Sequence, residues 1–340
     1  MKVLLTNNGV LETQWPFTRK RFEQRLQQVA ELVYVDVRRA RLVDVDWETY
    51  DAVALFGGEM TERMLDRAIQ LKVVGGITDV KGPSCFDSLV KRRIPFIDGT
   101  PAWGQSVAEI GIALMLCALR KVPHWHGRLA AGSFDWAFPY GQFCDDETFV
   151  NGTLGTKTVG VIGLGQIGSR IAKWCTMFGA TVLGYDPFAP DERFREVGAT
   201  EQDIETLIGE VEVLVVAVPP TPSAQNLVDA RQVMRLRKGS VVTTITRTAA
   251  IDCQALRKRV LANELFWASD VYDIEPLAAD DPILGRDNVV HIPHIAGRTK
   301  DANLRLADII TEGFMSVFNG SRPQSVLTPQ AVQVRTESHP

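Results

Sequence analysis

Thr158-Val159-Gly160-Val161-Ile162-Gly163-Leu164-Gly165-Gln166-Ile167-Gly168-Ser169-Arg170-Ile171-Ala172 reads as strand, tight turn and helix in succession. An apolar run enters, Gly163, Gly165 and Gly168 turn the chain, and an amphipathic pattern leaves. In this strand–turn–helix setting the three glycines form a dinucleotide-binding fingerprint. Gly163 permits the tight turn, Gly165 lets backbone approach a pyrophosphate, and Gly168 lets helix and strand pack closely. The helix start offers amide hydrogens and a positive dipole end to the phosphates. The next strand signal closes on Val182-Leu183-Gly184-Tyr185-Asp186, which places a carboxylate 18 residues beyond Gly168. Such an acid accepts hydrogen bonds from ribose hydroxyls and repels a 2′-phosphate, so NAD is expected rather than NADP.

Alternation extends outward from this run in both directions. Before it, apolar runs at Lys2–Leu5, Glu31–Val37, Ala52–Phe56, Leu71–Val74 and Pro95–Ile97 are separated by helical segments such as Thr18–Val29 and Thr61–Gln70. After it come Thr181–Tyr185, Val213–Val218, Ser240–Ile245, Phe266–Val271 and Val289–Ile292, giving six strands with Thr158–Ile162. Strand and helix in alternation predict an α/β protein with parallel sheets and crossover helices. Long helices are expected near Ser106–Leu119 and Asp301–Val317. Pro123–Asn151, with Trp125, Trp136, Phe138, Tyr140 and Phe143, reads as helix and loop, and the tail from Gln330 as loosely ordered.

Bulk properties narrow the class. A length of 340 residues favours two domains, and 45% hydrophobic with 23% charged residues is an ordinary globular composition. A net charge of −4 gives no basic footprint for nucleic acid. No apolar run reaches the ~18 residues of a membrane span, and the opening Met1–Asn7 reads as a first strand. The five cysteines have no metal-type spacing and read as packing residues, so a reducing cytoplasm fits them best, a cytoplasmic protein is expected and no metal is expected. His124-Trp125-His126 looks chelating, but no ligand partner follows at suitable spacing. His291 lies before its strand end and reads as structural.

Ligands of a doubly wound sheet bind outside the carboxyl ends of its strands. Arg247, Glu275 and His294 follow three successive strand signals there. Hydride transfer to a 2-oxo acid needs this set. A guanidinium binds a carboxylate with paired donors, an imidazole moves a proton near working pH, and a carboxylate orients the imidazole and favours its charged form. Arg247 is therefore expected to clamp substrate, His294 to act as acid/base and Glu275 to orient it.

With these residues in place, the chain resembles the D-isomer-specific 2-hydroxyacid dehydrogenase family over nearly its whole length, most strongly from Gly160 to Thr299. The resemblance rests on Gly163–Gly168, Tyr185-Asp186-Pro187, Val218-Pro219-Pro220-Thr221-Pro222, Arg247 with Asp252, Asp270-Val271-Tyr272-Asp273-Ile274-Glu275-Pro276 and Pro293-His294-Ile295-Ala296-Gly297. It implies two Rossmann/flavodoxin-like domains, with the nucleotide domain (104–296) inserted into a split substrate domain (1–103 plus 297–340) and the chemistry in the cleft between them. It implies a homodimer and a small 2-hydroxy or 2-oxo acid as substrate. It assigns cofactor contacts to Gln166, Ile167, Val218, Pro219, Thr246, His294 and Gly297 beside the three glycines and Asp186, with Asp270 near the nicotinamide end. Glu275 with His294 is similar to the hydroxyacid dehydrogenases, where formate dehydrogenases carry glutamine.

The chain departs from the family pattern at Thr244, where asparagine is usual, and at Thr248, where glycine is usual. Lys81, Gly82 and Pro83 align with a loop that takes the substrate carboxylate. Lys81 reads either as a second cation for a dianionic substrate or as a solvated lysine, and Arg298 carries the same alternatives. Two other functions fit the scaffold: an NADH-sensing corepressor-like binding protein, and a phosphite-type dehydrogenase.

Overall fold

The computed structural model describes residues 1–77, 83–133 and 152–336. The chain divides into two compact units, Met1–Ser106 with Gly297–Glu337, and Val107–Ala296.

The first unit holds five parallel strands: β1 (Lys2–Asn7), β2 (Glu31–Asp36), β3 (Ala52–Phe56), β4 (Val73–Gly76) and β5 (Phe96–Asp98). Their order is β2-β1-β3-β4-β5. Every residue of β3 is buried, as expected where helices cover both faces of a parallel sheet. One cover is the late helix Lys300–Phe318, whose Leu306, Ile310 and Phe314 are fully buried with Val3, Leu5 and Ala52 of the sheet. The Arg21 guanidinium of helix Pro16–Leu26 binds Asp308 on its flank (2.7 Å).

The second unit holds seven parallel strands: β6 (Thr158–Ile162), β7 (Thr181–Tyr185), β8 (Thr200–Glu201), β9 (Val213–Val216), β10 (Val241–Thr244), β11 (Phe266–Ser269) and β12 (Val289–His291). Their order, β12-β11-β10-β9-β6-β7-β8, reverses direction between β6 and β9. That is the switch point at which a doubly wound sheet binds ligands. Side-chain caps set several helix starts. Asp203 receives Thr206 N–H, Asp229 and Gln232 form a reciprocal capping box, and Asp252 receives Ala255 N–H (2.8 Å).

Two expectations change. The nucleotide-type sheet has seven strands rather than six, because the exposed two-residue β8 extends its edge. Two residues are too few to show a period. The tail is helical over Pro329–Thr336, where Ala331 and Val332 dock on the core around Leu327 and Phe96. The segment from Pro123, expected as helix and loop, does begin as a helix, Val122–Ala130; Trp136, Phe138, Tyr140 and Phe143 lie outside the described residues. The stretch Thr100–Arg120 is long and apolar enough by composition to cross a membrane, yet 61% of its most apolar window is buried within the protein, as in a core helix.

Candidate active site

The glycine run forms the β6-to-helix turn at the switch point. Gly163 has φ +89°, and a Cβ there would press on Val218 Cγ1 at 2.6 Å. A Cβ on Gly168 would lie 1.8 Å from the Gly163 carbonyl oxygen, so helix Gly168–Met177 reaches the strand only with glycine. A Cβ on Gly165 meets nothing within 4 Å. Open space over Gly165, beside a helix start without a side-chain cap at Ile167, is a cradle that fits a pyrophosphate.

The turn is clamped through Leu164. Its N–H donates to Asp186 Oδ2 (2.7 Å), while its carbonyl accepts from Ser169 Oγ (2.5 Å) and Arg193 Nη1 (3.2 Å). Asp186 Oδ1 takes Phe188 N–H (3.0 Å). Gln166 pairs with Arg170. Thr246 Oγ1 donates to the Val218 carbonyl (2.8 Å), tying the loop that continues into Pro219 after β9 to the one after β10.

Beyond β11 and β12, His294 Nδ1 lies 2.7 Å from Glu275 Oε2. The other carboxylate oxygen accepts Tyr272 N–H (2.8 Å). Burial pushes the Glu275 carboxyl up, but the His294 ring, the Tyr272 N–H and the charges of His294 and Arg247 outweigh it. The carboxyl titrates below its ordinary value. The pairing commits Nδ1 of His294 and leaves Nε2 without a partner among the described residues, on a ring that is 45% exposed. His294 has φ +52°, uncommon for a non-glycine residue. Asp270, 1% exposed, holds the backbone that follows by accepting Ile295 N–H (2.6 Å) and Ala296 N–H (3.1 Å). Burial raises the Asp270 carboxyl above its ordinary value despite those two donors.

Arg247 is exposed, and its Nη1 donates to the adjacent Thr246 carbonyl (2.7 Å). Gly297 belongs to the first unit, where a Cβ would meet Trp103 at 2.7 Å. Pro83 is also in the first unit, and its carbonyl accepts Phe86 N–H. Lys81 and Gly82 lie outside the described residues. His291 Nε2 is buried without a partner among the described residues. His124 Nδ1 pairs with Asp287 Oδ1 (2.7 Å), a carboxylate that local spacing did not reveal. Sequence reading also missed Ser169, Arg193 and Tyr272, which hold the glycine turn and Glu275. Tyr272 lies within Asp270–Pro276, but its contribution is a backbone N–H, which side-chain reasoning does not find.

Residues 112–296 match the family model for the D-isomer specific 2-hydroxyacid dehydrogenase NAD binding domain. The D-3-phosphoglycerate dehydrogenase of Archaeoglobus fulgidus is 32% identical over 262 residues, covering 76% of this chain and 47% of that protein. The glyoxylate reductase of Korarchaeum cryptofilum is 26% identical over 247 residues, covering 72% of each. The chain spans about half the length of the phosphoglycerate dehydrogenases it matches. A phosphoglycerate oxidoreductase from Rhizobium etli shares the fold, with TM-score 0.81 at 18% identity, covering 97% of this chain and 99% of that one. The family match takes in more than half of the chain, so it belongs to the D-isomer specific 2-hydroxyacid dehydrogenase family, with residues 112–296 as its NAD-binding domain.

Proposed function

We propose that this chain interconverts 2-oxo acids and D-2-hydroxy acids with NAD(H). The observation that carries the reading is the 2.7 Å pair of His294 with Glu275, with the second carboxylate oxygen held by Tyr272 N–H. Bound NAD(H) supplies or takes up the hydride. In reduction, His294 Nε2 gives a proton to the substrate's carbonyl oxygen, and in oxidation it takes that proton back. Glu275 fixes the ring through Nδ1. Arg247 binds the substrate carboxylate with paired donors and draws charge toward the carbonyl. Asp186 receives the adenosine ribose hydroxyls, which favours NAD over NADP. The working form is a homodimer, which sedimentation checks.

NADH oxidation is measured with glyoxylate, hydroxypyruvate, pyruvate and branched 2-oxo acids, and NAD reduction with D-3-phosphoglycerate. Turnover of at least one acid is expected. Silence across the panel from protein that binds NADH rejects the reading.

A further inference from the structure

We infer that a buried hydrogen-bonded chain through Thr244 and Ser269 sets the relative placement of Arg247, Glu275 and His294, which makes these two hydroxyl residues positioning residues of the site. The inference rests on the function proposed above for those three groups.

β10, β11 and β12 run side by side, with Thr244 level with Ser269 and Ser269 level with His291. Each strand delivers one reacting group a few residues later, after the sheet ladder has ended. Beyond the ladder something else must hold the three exits in register. Trp267 Nε1 lies 2.9 Å from Thr244 Oγ1, Thr244 Oγ1 lies 2.7 Å from Ser269 Oγ, and Ser269 Oγ lies 2.6 Å from the Val271 carbonyl oxygen. An indole nitrogen only donates and a carbonyl only accepts, so the chain has one direction. Trp267 donates to Thr244, Thr244 to Ser269, and Ser269 to Val271. Trp267, Thr244 and Ser269 are all 0% exposed, so water cannot replace any of these bonds.

Ser269 is the hub. Its carbonyl accepts Ile292 N–H (3.0 Å) and the Tyr272 hydroxyl (3.2 Å), and that hydroxyl also reaches the Ile292 carbonyl (3.4 Å). Ile292 is two residues before His294, and the Tyr272 N–H holds Glu275. On the other side, the Thr244 carbonyl accepts Asp270 N–H (3.0 Å) three residues before Arg247. One connected set of bonds therefore spans the exits of all three strands. An apolar residue at 244 cuts it in the middle, leaving a buried indole N–H without an acceptor and Ser269 Oγ with only the Val271 N–H (3.2 Å) as donor.

The test compares Thr244→Val, Thr244→Ser and Ser269→Ala with the unaltered protein. Kinetics give kcat and KM for the best 2-oxo acid, fluorescence gives NADH affinity, and carbon NMR follows the Glu275 carboxyl titration without substrate. Thr244→Val is expected to lower kcat/KM about tenfold by misplacing the reacting groups. NADH affinity should hold, and the Glu275 midpoint should rise toward ordinary glutamate. Thr244→Ser, which keeps the oxygen, should restore both. If Thr244→Val does not fold, Ser269→Ala, one oxygen smaller, decides by the same readouts. Folded variants with unaltered kcat/KM and an unmoved Glu275 midpoint overturn the inference. If the unaltered protein turns over no acid, yet the midpoint moves with Thr244→Val and returns with Thr244→Ser, the positioning stands and only the reaction reading falls.

Discussion

The two halves of the seven-stranded sheet meet at the switch point but are built by opposite means. On the function proposed, the β6 and β7 side offers a ligand backbone N–H groups, a helix start and the Asp186 carboxylate, and glycines expose the backbone. Gly165 leaves open space, while Ser169 and Arg193, together with Asp186, grip Leu164. Around β10 to β12 the offered groups are side chains, and they are held by other side chains and by backbone donors. Glu275 holds His294, Tyr272 holds Glu275, and Asp270 holds the turn after His294. The first half is therefore sensitive to adding an atom and the second to losing one.

The largest effect expected from this contrast is in the glycine half. Gly168→Ala drives a methyl into the Gly163 carbonyl, so thermal unfolding should show a loss of about 1–3 kcal/mol, and NADH binding should vanish. Gly165→Ala adds the same methyl into open space. Its stability should stay within about 0.5 kcal/mol, while NADH affinity falls at least about tenfold. Equal behaviour of the two variants breaks the distinction between a packing glycine and a cradle glycine. Asp186→Ala removes a charge and also the acceptor of Leu164 N–H. Affinity for both cofactors should drop, NAD more than NADP, by about tenfold in the ratio. An unchanged NAD:NADP ratio leaves Asp186 only its backbone role.

The smallest effect lies in the side-chain half and is read against pH. Glu275 titrates below its ordinary value in the folded protein. Its contribution to stability is thus fully present above about pH 4.3, the ordinary glutamate value, and is lost as pH falls through the lower folded value. Glu275→Gln should flatten the acid limb of the melting temperature against pH. A limb of unchanged slope shows that the pair with His294 does not couple to folding.

What the amino-acid order reveals follows the same divide. Thr158–Ile162, the three glycines and Asp186 are legible because their constraints act within one strand–turn–helix unit. Parallel strands such as Ala52–Phe56 announce themselves as continuous apolar runs. Arg247, Glu275 and His294 are legible as residue types at strand ends. Their support is not, because Thr244, Trp267 and Ser269 sit on two strands whose register no local pattern specifies. Read alone, Thr244 is only a departure from asparagine; in the sheet it is the middle of a directed chain. Thr243, its neighbour on the opposite face, has a buried hydroxyl with no partner among the described residues, so residue type alone does not announce such a role. The helix Pro329–Thr336 is hidden for a related reason, since its order comes from docking on distant residues rather than from its own periodicity.

The central claim is that His294 moves the proton while the glycine half holds the cofactor independently. The most direct test measures kcat/KM for the best 2-oxo acid and NADH affinity on the same preparation of His294→Ala. The account predicts a fall in kcat/KM of about 10²–10⁴-fold with NADH affinity nearly intact. Turnover that persists at the unaltered rate, or NADH affinity that collapses together with turnover, contradicts it.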